Sequence, residues 1–256
     1  MLKFRNLRAG YDGMEKLHGI SAKLEPGKLT AIIGPNGCGK STLLKCAAGL
    51  LKPTEGEILL DSKRVQFIPE KERARFISYM PQSRITPDIS VRQLVAHGRY
   101  PHLKWGQGLR AADKESIEAA IERVKMTKLA KRPVRLLSGG ERQRAYIAMM
   151  LAQETKVMLL DEPTTYLDLA SQFALMELLQ ELRSEGRCIA VVLHDLGLAL
   201  EYADEILLMQ RGELIASGTP DIICQSGRIQ SVFGIGIRQA EDQKYIFYAN
   251  RQEEIP

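Results

Sequence analysis

The chain has 256 residues, 45% of them hydrophobic and 26% charged, with a formal net charge of +5. That length and balance exclude a disordered or fibrous chain and are enough to bury a sizeable core. No apolar run approaches the roughly 20 residues that cross a bilayer, and the opening MLKFRNLRAG has no signal-peptide core, so a cytoplasmic protein is expected.

Residues 1–32 alternate short apolar segments with turn signals. KLTAII (28–33) reads as a strand running into the glycine-rich GPNGCGKS (34–41), with STLLKCAAGL as the helix after it and GEILLD (56–61) as another strand. RFISYM ends in a short strand just before Pro81 and Gln82. From about 84 to 150 the pattern turns helical, and 84–137 reads as an inserted helical subdomain. Ser90 caps VRQLVAH, which Gly98 ends, and Ile117, Ala120, Ile121 and Val124 form an apolar stripe. LSGGERQR (137–144) opens the next helix, with Ala145, Ala148, Met149 and Ala152 on one face. KVMLLDEP (156–163) and CIAVVLHD (188–195) are unalternated apolar runs, as in strands covered on both faces. Between them lies a helix with Leu175, Leu178, Leu179 and Leu182 in register, stopped by Gly186. LGLALEYAD is helical, and EILLMQRGELIASG forms a hairpin around Arg211–Gly212. This alternation predicts an α/β fold with a parallel sheet.

Gly34, Gly39, Lys40 and Ser41 fit G-x-x-x-x-G-K-[ST]. Glycines let the backbone wrap phosphate oxygens, Lys40 supplies a charge to the β- and γ-phosphates, and the Ser41 hydroxyl can ligate Mg²⁺. Asp161 and Glu162 end a buried strand, where ligands of parallel sheets bind. Asp161 suits Mg²⁺ and Glu162 suits polarising an attacking water. His194, also at a strand end, is either within reach of the γ-phosphate or structural. In LSGGERQR, Ser138 and Glu141 make a capping box, while Gly139 and Gly140 leave the helix N–H groups bare, a second anion site. Cys38, Cys46, Cys188 and Cys224 have neither disulfide nor zinc spacing. They read as small buried residues, with Cys38 exposed to oxidation if the loop leaves it open. The basic charges read as spread along the chain, an ordinary solvated surface, so no nucleic-acid partner is expected.

In the order GPNGCGKST, Gln82, LSGGERQR, VMLLDEP, YLD (166–168) and His194, nearly the whole chain resembles the nucleotide-binding subunit of ATP-binding cassette transporters. The resemblance implies a P-loop NTPase of the cassette type. Its α/β core would be a mixed sheet with a helical subdomain at 84–150, a small N-terminal antiparallel β region and a short C-terminal extension at 220–256. It implies ATP and Mg²⁺ as cofactors. Asn36, Gly37, Cys38, Gly39, Lys40, Ser41 and Thr42 would contact the nucleotide. Tyr11 would stack on adenine, unless it is an ordinary strand-edge tyrosine. Ser41, Gln82 and Asp161 would hold Mg²⁺, and Glu162, His194, Gln82 and Lys40 would serve hydrolysis. The implied partners are a second copy, paired head to tail, and membrane permease subunits, with a substrate-binding protein acting indirectly, on the cytoplasmic side of the membrane. Ser138, Gly139 and Gly140 would then act on the partner's ATP, and Asp168 would cross the interface as well as cap a helix.

Many members carry Gln where this chain has Glu141; a carboxylate early in a helix suits the dipole. Thr165–Tyr166 departs from the common pattern before Leu-Asp. DEPTTYLDLASQ, VVLHDLGLALEYAD, LVAHGRYPHL (94–103) and VFGIGIRQAEDQKYIFY (232–248) resemble the branch that imports iron–siderophore, haem and cobalamin complexes. HGRYPHL is equally a turn made by Gly98 and Pro101. Two other readings keep the ATPase and change its job: a soluble assembly ATPase of the iron–sulfur scaffold kind, or a transporter subunit for another solute.

Overall fold

The structure is a computed structural model that describes residues 1–83, 86–104, 106–165, 167–239 and 245–249. In chain order, a hairpin of β1 (Leu2–Tyr11) and β2 (Met14–Leu24) precedes β3 (Leu29–Ile33), which enters the glycine loop and α1 (Lys40–Ala47). Then come β4 (Glu55–Leu60), β5 (Lys63–Arg64), α2 (Glu70–Arg73) and β6 (Ile77–Met80). Three helices follow: α3 (Val91–Ala96), α4 (Ala111–Arg123) and α5 (Gly139–Ala152). β7 (Val157–Asp161), α6 (Leu169–Ser184), β8 (Cys188–Val192), α7 (Leu196–Tyr202), β9 (Glu205–Gln210) and β10 (Glu213–Gly218) complete the main sheet. α8 (Pro220–Gln225), α9 (Arg228–Phe233) and the hairpin β11 (Ile235–Gln239) and β12 (Tyr245–Ala249) end the described chain.

The main sheet has the order β10-β9-β3-β8-β7-β6. It is parallel from β9 to β6, with β10 antiparallel at one edge. A second, antiparallel sheet, β2-β1-β4-β5, lies over one face. Residues of the main strands divide by parity. Ile32, Val157, Leu159, Ala190 and Val192 pack with α1 and the antiparallel sheet. Ala31, Ile33, Met158, Leu160, Ile189 and Val191 pack with the helices on the other face. Both faces are covered, so β7 and β8 run apolar through 157–160 and 188–192 instead of alternating.

α5 packs on α3 and α4, and Val91, Val95, Ile121 and Ile147 are at most 1% exposed in that contact. The Ser90-capped α-helix stops just before Gly98, as the sequence indicates, and the chain continues as a 3₁₀ helix, His97–His102. Gly98 lies hard against α5: a Cβ on it would lie 2.2 Å from the Met149 carbonyl oxygen. Next to it Arg99 is buried, donates to the Ala152 carbonyl (2.7 Å) and pairs with the buried Asp113 (3.1 Å) and with Glu154 (2.8 Å). His102 Nε2 lies 2.9 Å from the Gln153 carbonyl, and Gln153 Nε2 donates to the Ala74 carbonyl at 2.6 Å. The HGRYPH stretch is thus an anchor fastening the helical part to the end of α5 and the approach to β6, and more than the turn its Gly and Pro suggest.

Candidate active site

The parallel strands bring four loop starts to one end of the sheet. In register, Ile32 of β3 sits beside Val192 of β8, and Val192 beside Asp161 of β7. The glycine loop after β3, Glu162 after β7, His194 after β8 and Gln82 after β6 therefore meet. With Tyr11 and Lys16 from the antiparallel sheet they line a cavity of about 580 Å³. Asn36, Gly37, Gly39, Lys40, Ser41, Thr42 and Thr165 complete the wall.

The loop is shaped for an anion. Gly39 caps α1 at φ +105, a left-handed conformation that glycine alone adopts cheaply, and a Cβ there would meet Leu17 and the Lys16 carbonyl within 3 Å. No side chain caps α1 and no acidic residue stands in its first turn, so its N-terminal N–H groups point into the cavity without internal partners. Lys40 is only 6% exposed, and Nζ donates to the carbonyls of Gly34 (2.7 Å) and Pro35 (3.0 Å). Among the described residues no carboxylate pairs with it within 4 Å. A buried cation beside bare N–H groups fits a phosphate chain.

The opposite wall is acidic. Asp161 is 2% exposed; it accepts hydrogen bonds from the Ser41 hydroxyl (2.9 Å) and the Tyr79 phenol (3.2 Å). Burial raises its carboxyl above the ordinary value. A buried carboxylate beside a hydroxyl suits a hard cation. No group of three His, Cys, Asp or Glu side chains able to hold a metal exists among the described residues. A Mg²⁺ ion would therefore use few protein ligands plus phosphate oxygens and water. Glu162 is held from two sides: His194 Nε2 lies 2.6 Å from one carboxylate oxygen, and Gln82 Nε2 donates to the other at 2.5 Å. Its backbone is left-handed, φ +51, a strained state for a non-glycine residue. The strain turns the side chain out of the strand's alternation and into the cavity. Tyr11 is 37% exposed at the cavity edge, with Lys45 Nζ 5.6 Å from its ring centre.

Residues 17–165 match the family described as ABC transporter, more than half of the chain. The chain belongs to the ABC transporter family. The ferric enterobactin transport ATP-binding protein of Escherichia coli is 44% identical over 91% of this chain and 87% of its own length. A putative metal-chelate type ABC transporter in an inward-facing conformation superposes with a TM-score of 0.82 at 29% identity, covering 96% of this chain and 95% of that one. A dimeric ATP-binding cassette, MJ0796, bound to ADP and phosphate, gives 0.75 at 26% identity over 86% of this chain and 99% of its own. As an ABC cassette the chain binds ATP and is an ATPase.

Not every residue expected at the nucleotide comes to this cavity. The Cys38 side chain turns away: it is 4% exposed and packs in the core between the sheets, so only its backbone faces the loop. Burial also raises its thiol above the ordinary value, which removes the ground for easy oxidation. Ser138, Gly139, Gly140 and Asp168 lie outside the cavity. Ser138 caps α5, and Glu141 completes the capping box. Asp168 caps α6 through the Ser171 N–H at 2.8 Å. Gly140 faces Ser171, whose Oγ would lie 3.1 Å from an added Cβ, so the starts of α5 and α6 touch. Tyr166 lies outside the described residues.

Four contributors escaped the sequence reading. Lys16 and Thr165 line the cavity, Tyr79 holds Asp161, and Lys45 covers Tyr11. Lys45 was visible in principle, four residues after Ser41 on the same helix face. Lys16 gave no signal, because only the packing of the antiparallel sheet carries it to the loop.

Proposed function

We propose that this ABC cassette is the motor of an importer whose cargo is a metal chelate of the iron–siderophore, haem or cobalamin kind. The observation that carries the ATPase half is the convergence of Lys40, Ser41, Glu162, Gln82 and His194 on one cavity, with Asp161 buried behind Ser41. The import half is supported by 44% identity to a ferric enterobactin transport ATP-binding protein and by the likeness to a metal-chelate type transporter.

In this reading the α1 N–H groups and Lys40 bind the phosphate chain, and Tyr11 stacks on the base. Ser41, Asp161 and Gln82 would hold Mg²⁺, which would supply positive charge against the β- and γ-phosphates. Glu162 accepts a hydrogen bond from the attacking water and takes its proton as the water oxygen bonds to the γ-phosphorus and the bond from that phosphorus to the β–γ bridging oxygen breaks, releasing ADP and phosphate. His194 and Gln82 fix the Glu162 carboxylate for that task. Ser138, Gly139 and Gly140 face the ATP of a second copy, with Asp168 at the same interface. The dimeric state of the MJ0796 cassette supports that pairing.

No described helix is long and apolar enough to cross a membrane, so permease subunits must carry the transport path, with the cassette beneath them on the cytoplasmic side and a substrate-binding protein outside. The test is recovery of tagged protein from detergent-solubilised membranes of its own cell, with partners identified by mass spectrometry. A polytopic permease beside a chelate-binding protein is expected; recovery of soluble assembly scaffolds alone would overturn the import reading.

A further inference from the structure

Asp161 and Glu162 are consecutive carboxylates at the end of β7, and β6 and the residues after it hold both. Gln82 Nε2 donates to Glu162 at 2.5 Å, and three residues earlier the Tyr79 phenol donates to Asp161 Oδ2 at 3.2 Å. Gln82 has a task in hydrolysis as described above. Tyr79 has none, and it does not line the cavity, so it reaches a bound ligand only through Asp161.

The strand register explains why it reaches Asp161 at all. Tyr79 pairs with Leu159 across the β6–β7 ladder, and Asp161 lies two residues further along β7 on the same face. The Tyr79 side chain packs against the core between the two sheets, so the hydroxyl is carried to the carboxylate by a body held in place. From the other side Ser41, in the first turn of α1, donates to Asp161 Oδ1 at 2.9 Å. Asp161 is 2% exposed, so its two oxygens are engaged where water has little access. The two bonds differ in what they leave free. Ser41 lines the cavity, and its oxygen keeps lone pairs for a cation while its hydrogen stays on Oδ1. A phenol is protonated at neutral pH, so Tyr79 outside the cavity acts as a donor and keeps Oδ2 occupied.

We propose that Tyr79 is a positioning residue for the metal: by occupying Asp161 Oδ2 it leaves a single carboxylate oxygen on the Ser41 side, and this biases the nucleotide site toward Mg²⁺ and against Ca²⁺. The proposal rests on the Mg²⁺ reading under Proposed function and adds the reason for the choice of ion. Ca²⁺ takes more oxygen ligands at longer distances and often grips both oxygens of one carboxylate, whereas Mg²⁺ demands octahedral geometry and keeps several of its waters. A carboxylate with one oxygen to give suits Mg²⁺. Holding a ligand's orientation from behind is also how residues that never touch a metal tune its binding.

The test measures binding of a fluorescent, non-hydrolysable ATP analogue to the full chain with excess Mg²⁺, with excess Ca²⁺ and with a chelator. Tyr79→Phe removes the hydroxyl and keeps the ring. Ile77→Val, two residues earlier and packed in the same core, loosens the strand and leaves the hydroxyl in place. The parent is expected to bind the Mg²⁺ complex about tenfold more tightly than the Ca²⁺ complex, Tyr79→Phe to bring the two within about twofold, and Ile77→Val to keep the parental ratio even where it melts earlier. Affinity with the chelator should be equal in all three, which shows that each variant folds with an intact phosphate loop. A parental Mg²⁺ preference in Tyr79→Phe would overturn the proposal and leave the metal reading standing. Loss of the preference in Ile77→Val as well would reduce Tyr79 to strand packing and overturn the proposal likewise. A parent that binds the analogue equally well in all three conditions would overturn the metal reading and the proposal with it.

Discussion

Replacing Arg99 by Met tests how firmly the helical part is fastened. Arg99 side-chain exposure is 6% and that of its partner Asp113 is 0%. The substitution keeps the length of the side chain but removes the donors to Asp113 and the Ala152 carbonyl. Breaking one side of a buried pair costs about 3–5 kcal/mol when the other charge is left alone; here Arg110 Nε still donates to Asp113 at 2.9 Å, so about 2–3 kcal/mol is expected. Glu154 is half exposed and adds little. For a chain of this size each kcal/mol moves the melting temperature by about 2–4 °C, so a drop of about 4–12 °C is expected by calorimetry. Asp113→Asn in the Arg99→Met background should cost less than in the parent, a coupling of about 1–3 kcal/mol. The pH dependence has a definite sign. Arg110 first, then Arg99, holds the Asp113 carboxyl well below the usual range. Its contribution is present in full above the unfolded value of about 4 and is lost as the pH falls toward the folded one. The difference in melting between parent and Asp113→Asn should therefore be flat from pH 6 to 8 and shrink in acid. A loss under about 2 °C, or strictly additive variants, would refute the anchor.

Glu162→Gln should reduce ATP hydrolysis by about 10²–10⁴-fold, measured as phosphate release, while leaving nucleotide affinity within a few-fold. Asp161→Asn should raise the melting temperature of the chain without nucleotide, because it removes a buried charge, and should abolish the extra stabilisation that Mg²⁺ gives with ATP. Since burial raises the Asp161 pKa, the parent without nucleotide should gain stability as the pH falls through that raised value, and Asp161→Asn should lose this gain. Cys38 should resist a disulfide reagent at pH 8 in the folded chain and react once the chain is unfolded in guanidinium; rapid labelling of the native protein would contradict its burial.

The sequence made the sheet and the phosphate loop legible because both follow from local rules. Apolar runs at 157–161 and 188–192 announce strands covered on two sides, and Gly34, Gly39, Lys40 and Ser41 announce their own geometry. At Gly98 the helix stop was legible, but the α5 backbone lying against it was not, because no turn rule contains a neighbouring helix. Arg99 and Asp113 were invisible for the same cause, since a buried pair fourteen residues apart looks in sequence like two solvated charges. Cys38 carried a correct address and an uninformative side chain. Lys16 reached the cavity through packing between sheets and Tyr79 reached Asp161 from the neighbouring strand, and no motif encodes either.

β6 has a consequence beyond carrying Gln82. It is the outermost strand of the main sheet and pairs with β7 as its one neighbouring strand among the described residues. β3, β7 and β8 are each clasped by a neighbour on either side, so the groups they carry stand on a fixed frame. A strand with one ladder yields at about half the loss of hydrogen bonds. Of the four chain segments that touch Glu162 or the phosphate loop, the one whose continuation leads into the helical part is also the one most easily displaced. Its amide reports on Glu162 through a single bond. The sheet thus works as a balance with one light arm: whatever alters the partners of Glu162 tilts β6 first, while the catalytic groups beside it stay where they are.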